Sequence, residues 1–137
     1  MKYLDCEIRL PDALLHPMAS FVRETDAVSY EEMLAWNVRP SAGIEQVLFY
    51  VEADVERYRT QVEGVDPIVS FRIEPIDESS LYVWAREEIR PEDEAWRDAF
   101  AGRQLVVVPP IQFDADAAMR MTIVGDGGDM QNVLDEL

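Results

Sequence analysis

Apolar and polar residues alternate with a period of two in several stretches of the chain, a pattern that is typical of β-strands with one buried face. The clearest stretch covers residues 2–10, where charged and apolar residues alternate. Six later stretches also have strand character: residues 30–39, 44–52, 68–76, 81–87, 104–113 and 119–124. The pattern therefore predicts seven strands, and Pro109 and Pro110 predict that the sixth is an edge strand or contains a bulge.

Between these stretches, apolar residues recur every three or four positions, which favours amphipathic helices. Four helices are predicted, at residues 17–24, 54–64, 91–102 and 130–137. Pro17 and Pro91 suit the first turn of a helix. Asp54 is a suitable N-cap for the second helix, and Gly64 is suited to end it.

The order of these elements predicts the fold class. The first six are strand, helix, strand, strand, helix and strand, which is the order of a ferredoxin-like βαββαβ unit. Residues 48–54 and 121–126 repeat a strand, a small residue, Asp and a helix, about 75 residues apart. We therefore expect an α+β fold with an antiparallel sheet and helices on one face, built from tandem ferredoxin-like units at residues 1–77 and 78–137. The alternative is one compact domain.

The second unit is expected to lack its last strand. The chain ends at Leu137, after the last predicted helix and before any strand that would complete the unit. This end fits a piece of a longer protein, and it also fits a natural terminus at a helix.

The net charge of the chain limits the kinds of molecule that it is expected to bind. The 12 Lys and Arg residues against 28 Asp and Glu residues give a net charge of −16, and Lys2 is the only lysine. Affinity for DNA comes largely from basic side chains that neutralise phosphates, so binding of duplex DNA by this chain is not expected. Excess carboxylate with almost no lysine suits a cytoplasm at molar salt, where screening removes most self-repulsion. The alternative is an acidic surface on a protein from moderate salt.

The remaining composition excludes several classes of protein. The chain is 48% hydrophobic, which is enough for a folded core. A single cysteine excludes an internal disulfide and multi-cysteine zinc sites, and we expect neither a metal nor a cofactor. The sequence lacks a signal peptide and an apolar run of membrane-spanning length, so a cytoplasmic protein without a membrane partner is expected.

The best candidates for a binding site are His16, Trp36, Asn37 and Tyr50. They combine apolar bulk with a polar group, as in the lining of small-molecule pockets, and they fall where the first helix is expected to meet the first hairpin. The alternative is structural: His16 caps the helix, and the aromatic residues pack in the core. The sequence contains no recognised catalytic motif.

Several segments resemble the haloarchaeal bacterio-opsin-activator-like regulators. These segments are MKYLDCEIRLP at the start, LHPM at residues 15–18, VLFYVEAD at 47–54, VVVPP at 106–110 and TIVGD at 122–126. The resemblance implies an N-terminal input region that precedes a C-terminal helix-turn-helix domain, with DNA bound only through that domain.

Three functions are therefore compared. The favoured hypothesis is a regulatory, sensory or dimerisation domain that binds a small-molecule effector or forms a homodimer. The second is a small ferredoxin-like enzyme, in which His16 and Asn37 are the polar groups of an apolar pocket lined by Trp36 and Tyr50. The third is an assembly domain that pairs with another subunit through its edge strands.

Overall fold

The computed structural model describes residues 1–136. Within them it contains seven strands and four α-helices, and all eleven elements coincide with predicted ones. The strands are β1 (Lys2–Ile8), β2 (Val28–Arg39), β3 (Ile44–Ala53), β4 (Ile68–Pro75), β5 (Ser80–Glu88), β6 (Leu105–Phe113) and β7 (Met119–Gly125). The helices are α1 (Pro17–Glu24), α2 (Val55–Val62), α3 (Pro91–Phe100) and α4 (Gly127–Glu136). Leu137, the last residue of the fourth predicted helix, lies outside the described residues.

All seven strands form one antiparallel sheet, in the order β1-β7-β6-β2-β3-β5-β4. The α+β class is therefore confirmed. The ferredoxin-like arrangement is not confirmed, because β1 pairs with β7 near the other end of the chain, whereas the first strand of such a unit lies beside the third strand of the same unit. The predicted boundary between residues 77 and 78 falls in the turn between β4 and β5, which are paired neighbours.

The sheet has an internal symmetry that matches the repeat in the sequence. On either side of its centre, β2 corresponds to β6, β3 to β7, and β5 to β1. The strands β3 and β7 both lead into a helix that begins at a capping aspartate. Asp54 accepts a hydrogen bond from the backbone N–H of Arg57 at 3.0 Å, and Asp126 accepts one from Asp129 at 2.9 Å. The N-terminal β1 thus takes the place beside β7 that β5 takes beside β3.

All four helices cover the same face of the sheet. Helices α1 and α2 pack on one cluster, to which Val51 and Leu81 belong, and α3 and α4 pack on a second, to which Ile123 belongs. Glu31 of β2 pairs with Val51 on one side and with Phe113, which packs on the second cluster, on the other. Because partners in an antiparallel pair point to the same face, both clusters lie on one side. Within residues 1–136, no helix packs against the other face, which we call the uncovered face.

The two halves of the sheet meet over a short segment. β2 pairs with β6 only at residues 31–33, whereas its pairing with β3 extends from Val28 to Arg39. A register shift interrupts β6 between Val108 and Gln112, which contains the two prolines. The bulge predicted from these prolines is confirmed, although β6 is an interior strand and not an edge.

Candidate functional site

His16 holds the start of α1 and also contacts the sheet. Its Nδ1 accepts a hydrogen bond from the backbone N–H of Met18 at 3.1 Å, so the imidazole caps the helix. Its Nε2 lies 3.1 Å from Oε2 of Glu87 on β5. Both ring nitrogens therefore have partners within the protein, in agreement with the capping alternative.

Glu87 belongs to a buried cluster of ionisable groups at one end of the sheet. Glu45 and Glu87 are cross-strand partners on β3 and β5, and each is only 6% exposed. Burial, together with the hydrogen bond that it shares with Glu87, raises the pKa of Glu45 to about 7. Glu45 also pairs with Arg97 of α3. The cluster therefore ties α1 and α3 to the ends of β3 and β5.

A third carboxylate completes the cluster. The carboxylate oxygens of Glu45, Glu87 and Asp93 lie within 4.8 Å of one another, a spacing that a cation can bridge. Asp93, however, accepts two hydrogen bonds from the Arg90 guanidinium, at 3.0 and 3.1 Å. Arg97 thus lies beside Glu45, Arg90 lies beside Asp93, and His16 Nε2 lies within hydrogen-bond distance of Glu87. Each carboxylate has a partner inside the protein, and the arrangement fits an internal polar network.

The structure does not bring the four predicted site residues into one cleft. Asn37 pairs with Gln46 and lies on the uncovered face, whereas the neighbouring Glu45 is buried beneath the helices. Trp36 pairs with the buried Val47, which places it on the covered face, but it is 39% exposed.

Tyr50 lies on the opposite face of the sheet from His16. The Tyr50 hydroxyl donates a hydrogen bond to the Glu52 carboxylate at 3.0 Å, and Glu52 also lies on the uncovered face. Two surface depressions, of about 380 and 520 Å³, are lined by other residues. Within residues 1–136, His16 and Asn37 lie on opposite faces of the sheet, so these two residues do not share the pocket that the enzyme hypothesis requires.

Tyr50 belongs instead to an aromatic patch on the uncovered face. We define the aromatic patch as Leu48 and Tyr50 of β3 with Tyr82 and Trp84 of β5. The register places Tyr50 opposite Tyr82 and Leu48 opposite Trp84. The rings of Tyr50 and Tyr82 have centroids 5.8 Å apart, and Tyr82 is 42% exposed. Four large side chains thus form a contiguous surface that no helix covers.

Hydrogen bonds orient two of the four side chains of the aromatic patch, Tyr50 through Glu52 and Trp84 through Gln46. Trp84 Nε1 donates to the Gln46 side chain at 3.2 Å, which fixes the indole along the strand. On β2, the Tyr30 hydroxyl donates to Glu32 at 2.6 Å. Burial and the Glu32 carboxylate together raise the pKa of Tyr30 to about 12. The patch is therefore a surface with apolar bulk and polar edges, which is the composition of many protein interfaces.

Of the four residues of the aromatic patch, only Tyr50 is among the site residues that the sequence predicts. Tyr82 and Trp84 were not predicted because alternation along a strand specifies which face a residue lies on. It does not specify which residue lies opposite on the neighbouring strand. The available signal was that Tyr82, Trp84 and Arg86 share one parity while Leu81, Val83 and Ala85 share the other. A strand with apolar residues on both faces predicts either burial on both sides or an interface.

The helices were also compared with the length and hydropathy that a membrane span requires. Within residues 1–136, no helix is long and apolar enough to cross a membrane.

Comparison with known proteins identifies a family. No curated protein and no solved structure matches the chain. Residues 16–137 match the family described as HVO_0513_N, N-terminal, and this match spans α1 to the end of the chain. The chain therefore belongs to HVO_0513_N, a haloarchaeal family of N-terminal domains.

Proposed function

We propose that this chain is the regulatory N-terminal domain of a haloarchaeal transcription regulator, and that it acts through protein contacts on its uncovered sheet face. The observation that carries the proposal is the aromatic patch, an apolar surface on the sheet face against which no helix of residues 1–136 packs. Contact with DNA would be made by a C-terminal helix-turn-helix domain, as the resemblance to bacterio-opsin-activator-like regulators implies.

The charge of the chain supports the division of labour between the two domains. A net charge of −16 opposes contact with phosphates, and basic side chains supply most sequence-independent DNA affinity. The arginines are also largely engaged, since eight of the eleven form ion pairs with carboxylates within residues 1–136. A domain of this kind suits regulation better than promoter recognition.

The shape of the candidate surface favours a protein partner over a small effector. Small-molecule sites are concave and enclose most of their ligand, whereas the aromatic patch lies on an open sheet. A small-molecule effector stays a prediction from the sequence, and the proposal assigns it no binding site.

The test uses the full-length regulator and a reporter gene under its promoter. Tyr82→Glu places a charge in the aromatic patch, and we expect it to abolish the response of the promoter to its stimulus. The matched control is Val106→Glu on β6, because Val106 is 62% exposed on the uncovered face but lies outside the patch. We expect the control to respond normally.

The isolated chain provides the second arm of this test. In a gel-shift assay at low salt, the 137-residue chain is expected to leave promoter DNA unshifted. A sequence-dependent shift by the chain alone, or an unchanged promoter response in Tyr82→Glu, contradicts the proposal.

A further inference from the structure

Charged residues border the aromatic patch in a pattern that complements itself. In one row across the strands, the register aligns Tyr50 and Tyr82 with Glu74 of β4. In the adjacent row, it aligns Leu48 and Trp84 with Arg72 of β4. The two rows are therefore alike in apolar content, but on β4 they end in opposite charges, whereas on β2 the Tyr50 row continues to Glu32.

A two-fold axis between these rows matches each with the other. If the axis lies in the plane of the interface and runs across the strands, the Tyr82 row of one copy faces the Trp84 row of the second. Arg72 of each copy then faces Glu74 of the other, and the contact occurs twice. This reciprocity is the property of an isologous interface.

From this arrangement we infer that the aromatic patch is the interface of a homodimer, in which two copies of the chain pack their uncovered faces together. The aromatic rows form the apolar centre, and the two Arg72–Glu74 contacts fix the register of the two sheets. Sheets packed face to face keep their strands within about 30° of each other, which leaves both contacts within reach of these long side chains.

The ion pairs of the chain support this choice of occupant. Within residues 1–136, no ion pair includes Arg72, Arg86 or Glu74, although the other arginines except Arg39 all have carboxylate partners. Arg72, Arg86 and Glu74 are all exposed at the border of the aromatic patch. A second copy provides a carboxylate for Arg72 and a guanidinium for Glu74, whereas an acidic partner or a basic partner would satisfy only one of them.

The size of the surface predicts how tightly the copies associate. The three strands β3, β5 and β4, about 4.8 Å apart and with about 20 Å of each in contact, give a footprint of roughly 300 Å² per copy. The total of roughly 600 Å² is below the roughly 1,000 Å² of a stable interface and corresponds to weak, transient association. The dimer is therefore expected to dissociate on dilution.

The test is analytical ultracentrifugation of the 137-residue chain over a range of concentrations. In buffered salt, we expect a reversible monomer–dimer equilibrium. Arg72→Glu places like charges opposite each other, and we expect it to weaken dimerisation at least about tenfold. Glu74→Arg should have the same effect. The double variant Arg72→Glu/Glu74→Arg exchanges the charges and should restore dimerisation.

Two controls keep the result specific to the aromatic patch. Val106→Glu should leave the dimer unchanged, and circular dichroism should show that every variant is folded. A chain that is monomeric at all concentrations overturns the inference, as does a dimer that tolerates both single charge reversals. The inference is also overturned if the double variant dimerises no more tightly than the single variants.

The inference deepens the proposed function, since it names the partner of the same surface. The experiments separate the two ideas. If the chain is monomeric but Tyr82→Glu still abolishes the promoter response, the regulatory role stands and the patch binds a different protein. If the chain dimerises but the promoter response is unchanged in Tyr82→Glu, the dimer stands and the regulatory role of the patch fails.

Discussion

Glu31 is a carboxylic acid in the middle of the covered face. It lies on β2 between Val51 of β3 and Phe113 of β6, and it is only 5% exposed. Burial raises its pKa from 4.5 to about 7. The same burial raises the pKa of the neighbouring Tyr58 hydroxyl well above its usual value of 10. The folded protein thus favours the protonated form of Glu31, unlike the exposed Asp26 and Asp116, whose arginine partners lower their pKa values.

The pKa of Glu31 makes stability depend on pH in a defined direction. Below pH 4.5 the group is protonated in both states, and its contribution to stability is fully present. As the pH rises toward 7, the unfolded chain ionises first, so this contribution is lost. The expected loss is on the order of 3 kcal/mol between these limits. Glu45, with a pKa also near 7, adds a loss in the same direction.

Glu31→Gln removes this charge at nearly constant shape. We expect the variant to be more stable than the parent chain at pH 8, similar in stability at pH 4.5, and less sensitive to pH between these values. Denaturant unfolding at several pH values measures the effect. Glu78→Gln, in an exposed turn, is the matched control and should retain the parental pH dependence. Equal pH slopes in the parent and Glu31→Gln would show that Glu31 is not the responsible group.

At the scale of elements, the least local feature is the pairing of β1 with β7. Seven consecutive residue pairs join strands that are more than a hundred residues apart in sequence. The three alternating apolar residues of β1 pack against the second core cluster, which also receives α3 and α4. The N-terminal strand therefore completes the C-terminal half of the sheet, and β7 is an interior strand for that reason.

Gly125 at the end of β7 is required by this packing. Its φ of +156° is unfavourable for side chains, and a Cβ there would lie 1.9 Å from the carbonyl oxygen of Gln104. That oxygen accepts a hydrogen bond from the backbone N–H of Asp126, the residue that caps α4. An added methyl group would therefore displace the start of β6 from the end of β7.

Gly125→Ala is expected to reduce the free energy of unfolding by more than about 2 kcal/mol, because backbone must move to accommodate it. Gly64→Ala at the end of α2 is the control, since a Cβ there meets nothing within 4 Å. We expect its effect to stay within about 0.5 kcal/mol. Chemical denaturation of both variants measures the difference, and equal stabilities would contradict the close approach at Gly125.

At the scale of the whole molecule, the net charge of −16 is spread over the surface. The chain has 28 carboxylates and only 12 basic side chains, and most of the carboxylates are exposed. At 1 M salt the Debye length is about 3 Å, so repulsion among these groups is largely removed. At 0.1 M it extends about 10 Å and opposes the compact state.

We therefore expect the chain to melt at a higher temperature in 3 M than in 0.1 M sodium chloride. Thermal unfolding followed by circular dichroism tests this, with a melt in 3 M of a neutral osmolyte as a control for general solute effects. An equal or higher melting temperature at 0.1 M would show that carboxylate repulsion does not limit stability.

Much of this protein was determined by local sequence patterns. Alternation and helical spacing predicted all eleven elements, since period, capping residues such as Asp54 and breakers such as Gly64 act within a few residues. The repeat between residues 48–54 and 121–126 was also visible, because both segments need the same strand and the same helix cap. Family membership confirms the expected haloarchaeal N-terminal region, which composition and resemblance had indicated.

Strand order and the candidate surface were decided only by the tertiary structure. The partner of β1 depends on which edge is left open when the other six strands have paired, and no local pattern specifies that choice. The same holds for Tyr50, which alternation could place on a face but not beside Tyr82. Grouping His16 with Asn37 failed for a related reason, since the sheet lies between them. A strand's period specifies which residues share its faces, whereas pairing across the sheet specifies which of them meet.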